Sequence, residues 1–136
     1  MQLSFHLSFK GQCEEAFKFY EQTIGGKITF MMTHGDSPMA NEFPPEWRNK
    51  IMHASMTVAE MVLMGSDPPP SHQETVSGFA IAINVKAPAE ATQIFDALAK
   101  GGTVRMPLQQ TFWAASFGML VDRFGIPWML NCEQSA

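Results

Sequence analysis

The chain has 136 residues (15.1 kDa), 46% of them hydrophobic and 16% charged, which provides one packed core, excludes a disordered chain and leaves no length for a second regulatory domain. Nine Lys plus Arg against thirteen Asp plus Glu give a net charge of −4, and no basic run offers itself to a phosphate backbone or an anionic membrane surface. No stretch approaches the roughly 20 apolar residues of a membrane helix and no charged leader precedes an apolar segment, so the expectation is a cytoplasmic protein with neither nucleic-acid nor membrane partners.

Residues 3–9 alternate, with Leu3, Phe5, Leu7 and Phe9 on one face and Ser4, His6 and Ser8 on the other, the period of a strand with one polar side. Residues 12–24 carry Ala16, Phe17, Phe19, Tyr20 and Ile24 at helical spacing, with Glu14 and Glu15 in the first turn and Gly25-Gly26 as a stop. A strand over 27–33 follows. Residues 34–49, with three prolines, read as a long loop, either a lid or binding element or else disordered. Residues 51–58 and 61–65 then form a hairpin turning at Ala59-Glu60. Pro68-Pro69-Pro70 make residues 66–77 a connector.

Beyond the connector the order recurs: a strand over 79–85, a helix over 88–100 opened by Pro88, Gly101-Gly102, then strands over 103–108, 116–122 and 127–132. A shift of 76 residues, the separation of Gly25 from Gly101, lays Phe5 on Ile81, Leu7 on Ile83, Phe9 on Val85 and Phe19 on Phe95. The simplest description is two βαβββ modules, about 1–67 and about 78–133, in one α+β domain spanning 1–136.

Such a duplication resembles the vicinal oxygen chelate superfamily of glyoxalases, extradiol dioxygenases and bleomycin-resistance proteins. Phe9-Lys10-Gly11-Gln12-Cys13 leading to Phe19-Tyr20, Gln109 to Ala114, and Asp122-Arg123-Phe124-Gly125-Ile126-Pro127-Trp128-Met129 are similar to the PhnB-like branch, which also carries the label of a demethylubiquinone methyltransferase. No glycine-rich fingerprint for a methyl-donor cofactor is present, which discounts that label. The resemblance implies a cupped mixed sheet, a homodimer, and, in active members, a divalent metal held from a first and a last strand of each half. Carried onto this chain, those positions fall near His6, at Met64 or Gly65, at about Gly78 or Ala80, and at about Met129. One imidazole among four is too few for zinc, and hard cations prefer oxygen donors. The inherited site is therefore read as degenerate: no metal, or His6 as the ligand if one binds.

His53 lies on a strand face with Ser55 and Thr57 and would meet His6 in the cup; Glu60, Gln110 or a partner subunit would have to complete any rebuilt metal site. Both histidines are read either as hydrogen-bonded strand residues or as proton acceptors. Phe112, Trp113 and Phe117, with Trp47, would wall a pocket for a small organic ligand, whereas Trp128 reads as core. Met52, Met56, Met64, Met119 and Met129 fill the sheet interior or line an adaptable cup. Cys13 and Cys132 are read as thiols, Cys13 opposed as a nucleophile by Glu14 and Glu15. The expected pocket thus comprises His6, His53, Gln110, Phe112, Trp113, Phe117 and Met129. The expected function is binding of a small organic ligand without a cofactor; the alternative is a metal-dependent lyase, isomerase or dioxygenase using His6, His53 or both.

Overall fold

The computed structural model describes residues 1–134. The chain divides into two compact units, the first spanning Met1–Thr75 and the second beginning at Val76. In the first, β1 (Phe5–Ser8), α1 (Cys13–Ile24), β2 (Lys27–Thr33), β3 (Ile51–Val58) and β4 (Met61–Ser66) form a four-stranded sheet of order β1-β4-β3-β2 with one helix. In the second, β5 (Ile81–Val85), α2 (Pro88–Ala99), β6 (Thr103–Gln109), β7 (Ala114–Val121) and β8 (Pro127–Glu133) repeat it as β5-β8-β7-β6. Each sheet is mixed: β1 pairs parallel to β4, β5 pairs parallel to β8, and the remaining ladders are antiparallel. This is the α+β glyoxalase/bleomycin-resistance fold expected from the duplicated pattern. Among the described residues, no helix is long and apolar enough to cross a membrane.

Each helix covers one face of its own sheet, and spacing decides which residues it buries. Cys13, Ala16, Phe17 and Tyr20 are buried along α1; Ala91, Phe95 and Leu98 are buried along α2. Both sets follow the three-and-four-residue spacing of an apolar stripe. A small residue in the sheet receives an aromatic ring in each case. A Cβ on Gly65 would lie 2.7 Å from the Phe17 ring, and one on Gly118 would lie 2.7 Å from the Phe95 ring, so these two glycines set how closely helix and sheet approach.

The duplication extends to irregularities that no hydrophobic pattern reveals. The ladder of β2 slips between Ile28 and Phe30, and that of β6 slips between Val104 and Met106, positions related by the same 76-residue shift. Gly25 (φ 76°) and Gly101 (φ 77°) follow the two helices in the same left-handed conformation, which glycine adopts without a Cβ penalty. Within the helices, however, the correspondence moves by one residue. Phe19 is half-buried, and Tyr20 shares with Phe95 the buried inward position, because α1 begins at Cys13 and α2 at Pro88, a separation of 75.

Most expected boundaries agree within two residues. The first strand is shorter than residues 3–9, since its ladder with β4 begins at Phe5 and Leu3 stands 80% exposed. The seventh begins at Ala114 rather than at Ser116, because Ala114 pairs with Glu133 beyond a bulge. Residues 34–49 contain two 3-10 turns, Ala40–Glu42 and Pro45–Trp47, and Pro70–His72 form another in the connector.

Candidate functional site

Two carboxylates hold the scaffold around the candidate residues. Asp67 follows β4 directly, is 1% exposed, and accepts hydrogen bonds from the backbone N–H groups of Gly11 (2.9 Å), Cys13 (3.1 Å) and Ile51 (2.9 Å). It therefore caps α1 from a distant part of the chain, a task that Gln12 leaves undone. Its backbone carbonyl accepts the Trp47 indole N–H (3.0 Å) and bonds to His34 Nε2 (2.7 Å). The long loop is thus tied down at both ends, and Trp47, expected in a pocket wall, serves as an anchor.

Asp122 does the same for the β7–β8 turn. One carboxylate oxygen accepts the N–H groups of Phe124 (2.9 Å) and Ile126 (3.0 Å), and the other accepts the indole N–H of buried Trp128 (2.9 Å). Gly125 supplies the positive φ of 90° that the turn requires. The motif from Asp122 to Trp128 is thereby explained as a turn and core device.

Both cysteines are free and buried. The Cys13 thiol is pushed well up, first by burial and then by the negative charges of Asp67 and Glu14. A protonated, fully covered sulfur is not a nucleophile.

The face of each sheet away from its helix carries the remaining candidates. In the first unit His6 on β1 pairs with Met64 on β4, Met64 pairs with Ser55 on β3, and Ser55 pairs with Phe30 on β2, so these four side chains make one row. His53 stands one pleat along β3, its Nε2 3.3 Å from Ser55 Oγ and its ring 5.9 Å from that of Phe30. His6 is exposed, His53 and Met64 half-buried. Burial, and secondarily the charge of His53, hold the His6 imidazole below its ordinary value, so the two histidines sense one another.

In the second unit the corresponding row is Ala82, Met129, Met119 and Met106. The next row is Asn84, Asn131, Phe117 and Gln109, with Asn131 Nδ2 donating to Asn84 Oδ1 at 3.3 Å. By register, Ala82 stands where the first unit has His6, Met129 where it has Met64, and Phe117 where it has His53. The register counterpart of His6 in the second unit is thus Ala82, on β5, whereas Gly78 and Ala80 precede that strand. Phe117 is 7% exposed. The Trp113 ring meets it edge-on at 5.3 Å, and Phe112 meets Trp113 edge-on at 4.8 Å. Trp113 remains 49% and Phe112 91% exposed, a large apolar surface for water to cover. Gln110 is exposed in the same connection between β6 and β7.

The seven expected residues thus fall into two groups, His6 with His53 in the first unit and Gln110, Phe112, Trp113, Phe117 and Met129 in the second. Their relation to a hard divalent metal is unfavourable. The family positions supply one imidazole, two thioethers and an alanine methyl, and among the described residues no three of His, Cys, Asp and Glu come together. A separate surface cavity of about 480 Å³, lined mainly by Met39, Phe43, Pro44, Pro69 and Pro70 with His72 at its edge, lies on the long loop and connector and contains none of the seven.

A family model described as 3-demethylubiquinone-9 3-methyltransferase matches residues 1–131. The chain belongs to this family, the one the PhnB-like resemblance pointed to. Protein YjdN of Escherichia coli (strain K12) is 34% identical over 142 residues, covering 96% of this chain and 95% of that one. The crystal structure of protein PA1353 from Pseudomonas aeruginosa is 49% identical, with a TM-score of 0.90 over 99% of both chains. A putative 3-demethylubiquinone-9 3-methyltransferase, PhnB protein, from Bacillus cereus shares the fold at 23% identity, with a TM-score of 0.84 over 97% of this chain and 99% of that one.

The sequence pattern did not single out Asp67, Ser55 or the asparagine pair. Asp67 follows a strand and looks like any turn carboxylate. Its burial was signalled only by the absence of a capping side chain at Gln12.

Proposed function

We propose that this PhnB-like protein binds a small planar organic molecule on the open face of its second sheet, without a hard divalent metal. The observation that carries the reading is the Trp113–Phe117 pair, in which a buried phenyl ring fixes an indole that is half open to solvent. A flat aromatic molecule laid on that indole gains offset or edge contacts and removes apolar surface from water. Phe112 extends the wall, Gln110 offers an amide at its margin, and the thioethers of Met119 and Met129 adapt to ligands of varied outline.

Two features support binding over methyl transfer, the activity in the family's description. The N-terminus of α1, the usual anchor for a cofactor's anionic group, has its Gly11 and Cys13 N–H groups turned to Asp67. The other helix opens on Pro88, whose nitrogen carries no hydrogen to donate.

The test is a fluorescence titration with 8-anilinonaphthalene-1-sulfonate as the planar probe. Saturable quenching of tryptophan emission is expected, weakened about fivefold in Trp113→Leu, in line with the roughly 1 kcal/mol of an aromatic pair. A Trp113→Leu protein that binds the probe as tightly as the parent would remove the basis of the proposal.

A further inference from the structure

We infer that the open face of the first unit is a site for a soft monovalent metal ion of the Cu(I) class, held by the imidazoles of His6 and His53 and the thioether of Met64. The ladder carries the argument. His6 and Met64 are direct cross-strand partners, and Met64 is the direct partner of Ser55. Direct partners on one face place their Cβ atoms about 5 Å apart, and diagonal neighbours about 7 to 8 Å apart, within reach of long side chains. His53 is such a diagonal neighbour of Met64. Its Nε2 already lies 3.3 Å from Ser55 Oγ, so the nitrogen points along the strand toward the row of Met64 and His6. The thioether, on three rotatable bonds, can turn between the two rings.

The kind of ion follows from the donors. Two neutral imidazoles and a thioether bring no negative charge, and the other polar side chains that the register places on the same face are the hydroxyls of Ser8, Ser55, Thr57 and Ser66 and, at the edge beside Thr57, the ammonium of Lys27, so no carboxylate is among them. Mg²⁺ and Mn²⁺ would find no carboxylate here, and a thioether contributes little to Zn²⁺. A soft thioether with imidazoles instead matches Cu(I), and equally Ag(I), its redox-inert analogue. The set occurs once: in the second unit the positions of His6 and His53 are taken by Ala82 and Phe117. The degenerate hard-metal site is thus, in its first half, a different donor set.

The experiment titrates the full chain anaerobically with Cu(I) against bathocuproine disulfonate while following the methyl carbons of the eleven methionines by NMR. One equivalent of Cu(I) is expected to be withheld from the chelator, with the Met64 methyl signal moving in proportion. Met64→Leu should weaken retention at least about tenfold, as should His6→Gln or His53→Gln, and Mn(II) should compete in none of them. Failure to withhold Cu(I), uptake without movement of the Met64 signal, undiminished retention in Met64→Leu, or uptake that consumes the thiols of Cys13 and Cys132 would each overturn the assignment. The site shares no residue with the aromatic face. Probe quenching by Met64→Leu therefore tells whether the two proposals stand or fall separately.

Discussion

His6 is the residue at which chemistry and titration meet. Its imidazole is held below the ordinary value of 6.5, first by partial desolvation against the sheet and second by the charge of His53. In the interval between the lowered folded value and the unfolded one, the unfolded chain binds more protons, so stability rises with pH through that interval and is level above it. Acidification through the folded value therefore works against the native state. Because His6 is exposed, solvent screens most of that effect, and the sensitive reading is the His6 Cε1–H chemical shift. It should titrate below 6.5 and move upward only partly in His53→Gln, because burial, the larger cause, remains. A His6 that titrates unchanged in His53→Gln would separate the two rings and weaken the metal site built on them.

At the scale of elements, the fold hangs on buried carboxylates at strand ends. Asp67→Ala would strand three backbone N–H groups, two of them at the start of α1, and should cost about 3 kcal/mol or more, whereas Asp67→Asn keeps one acceptor oxygen and should cost about half as much. Urea denaturation followed by circular dichroism gives both numbers, and equal midpoints for Asp67→Ala and the parent would refute the capping role. These carboxylates also mark the boundary of what the sequence discloses. Strand alternation and helical spacing come from side chains that must face one way, so Leu7, Phe17, Phe95 and Trp128 announced their core positions. Asp67 depends on where Gly11, Cys13 and Ile51 arrive in space, and no local pattern encodes that arrival. The candidate site was legible in the same measure. The aromatic segment around Trp113 stood out by composition, but Trp47, equally conspicuous, proved to be a loop anchor. The alliance of Met64 with two histidines depends on register, which only the ladder reveals.

For the whole molecule, the duplication has kept a frame and released its open faces to diverge. Bulges, left-handed glycines and strand order are common to both units, whereas one face carries imidazoles and the other aromatic and amide groups. Phe5 and Phe30, on opposite faces of the first sheet, are large apolar side chains left 43% and 47% exposed in the single chain, and apolar surface of this kind is what a second copy covers in an oligomer. The expected assembly is a homodimer, so sedimentation velocity should return about 30 kDa, twice the mass of the chain. A species of 15.1 kDa at micromolar concentration would count against it.

The three tryptophans occupy three unlike surroundings, and this makes the chain its own optical instrument. Trp128 is sealed in the core with its indole N–H on a carboxylate, Trp47 is half-covered with its N–H on a backbone carbonyl, and Trp113 faces water. A collisional quencher therefore strips the red edge of the emission first and leaves a blue-shifted remainder from the anchored indoles. Light lost at the red edge reports events at the aromatic wall, while the blue remainder records, in the same cuvette, that the scaffold has stayed folded.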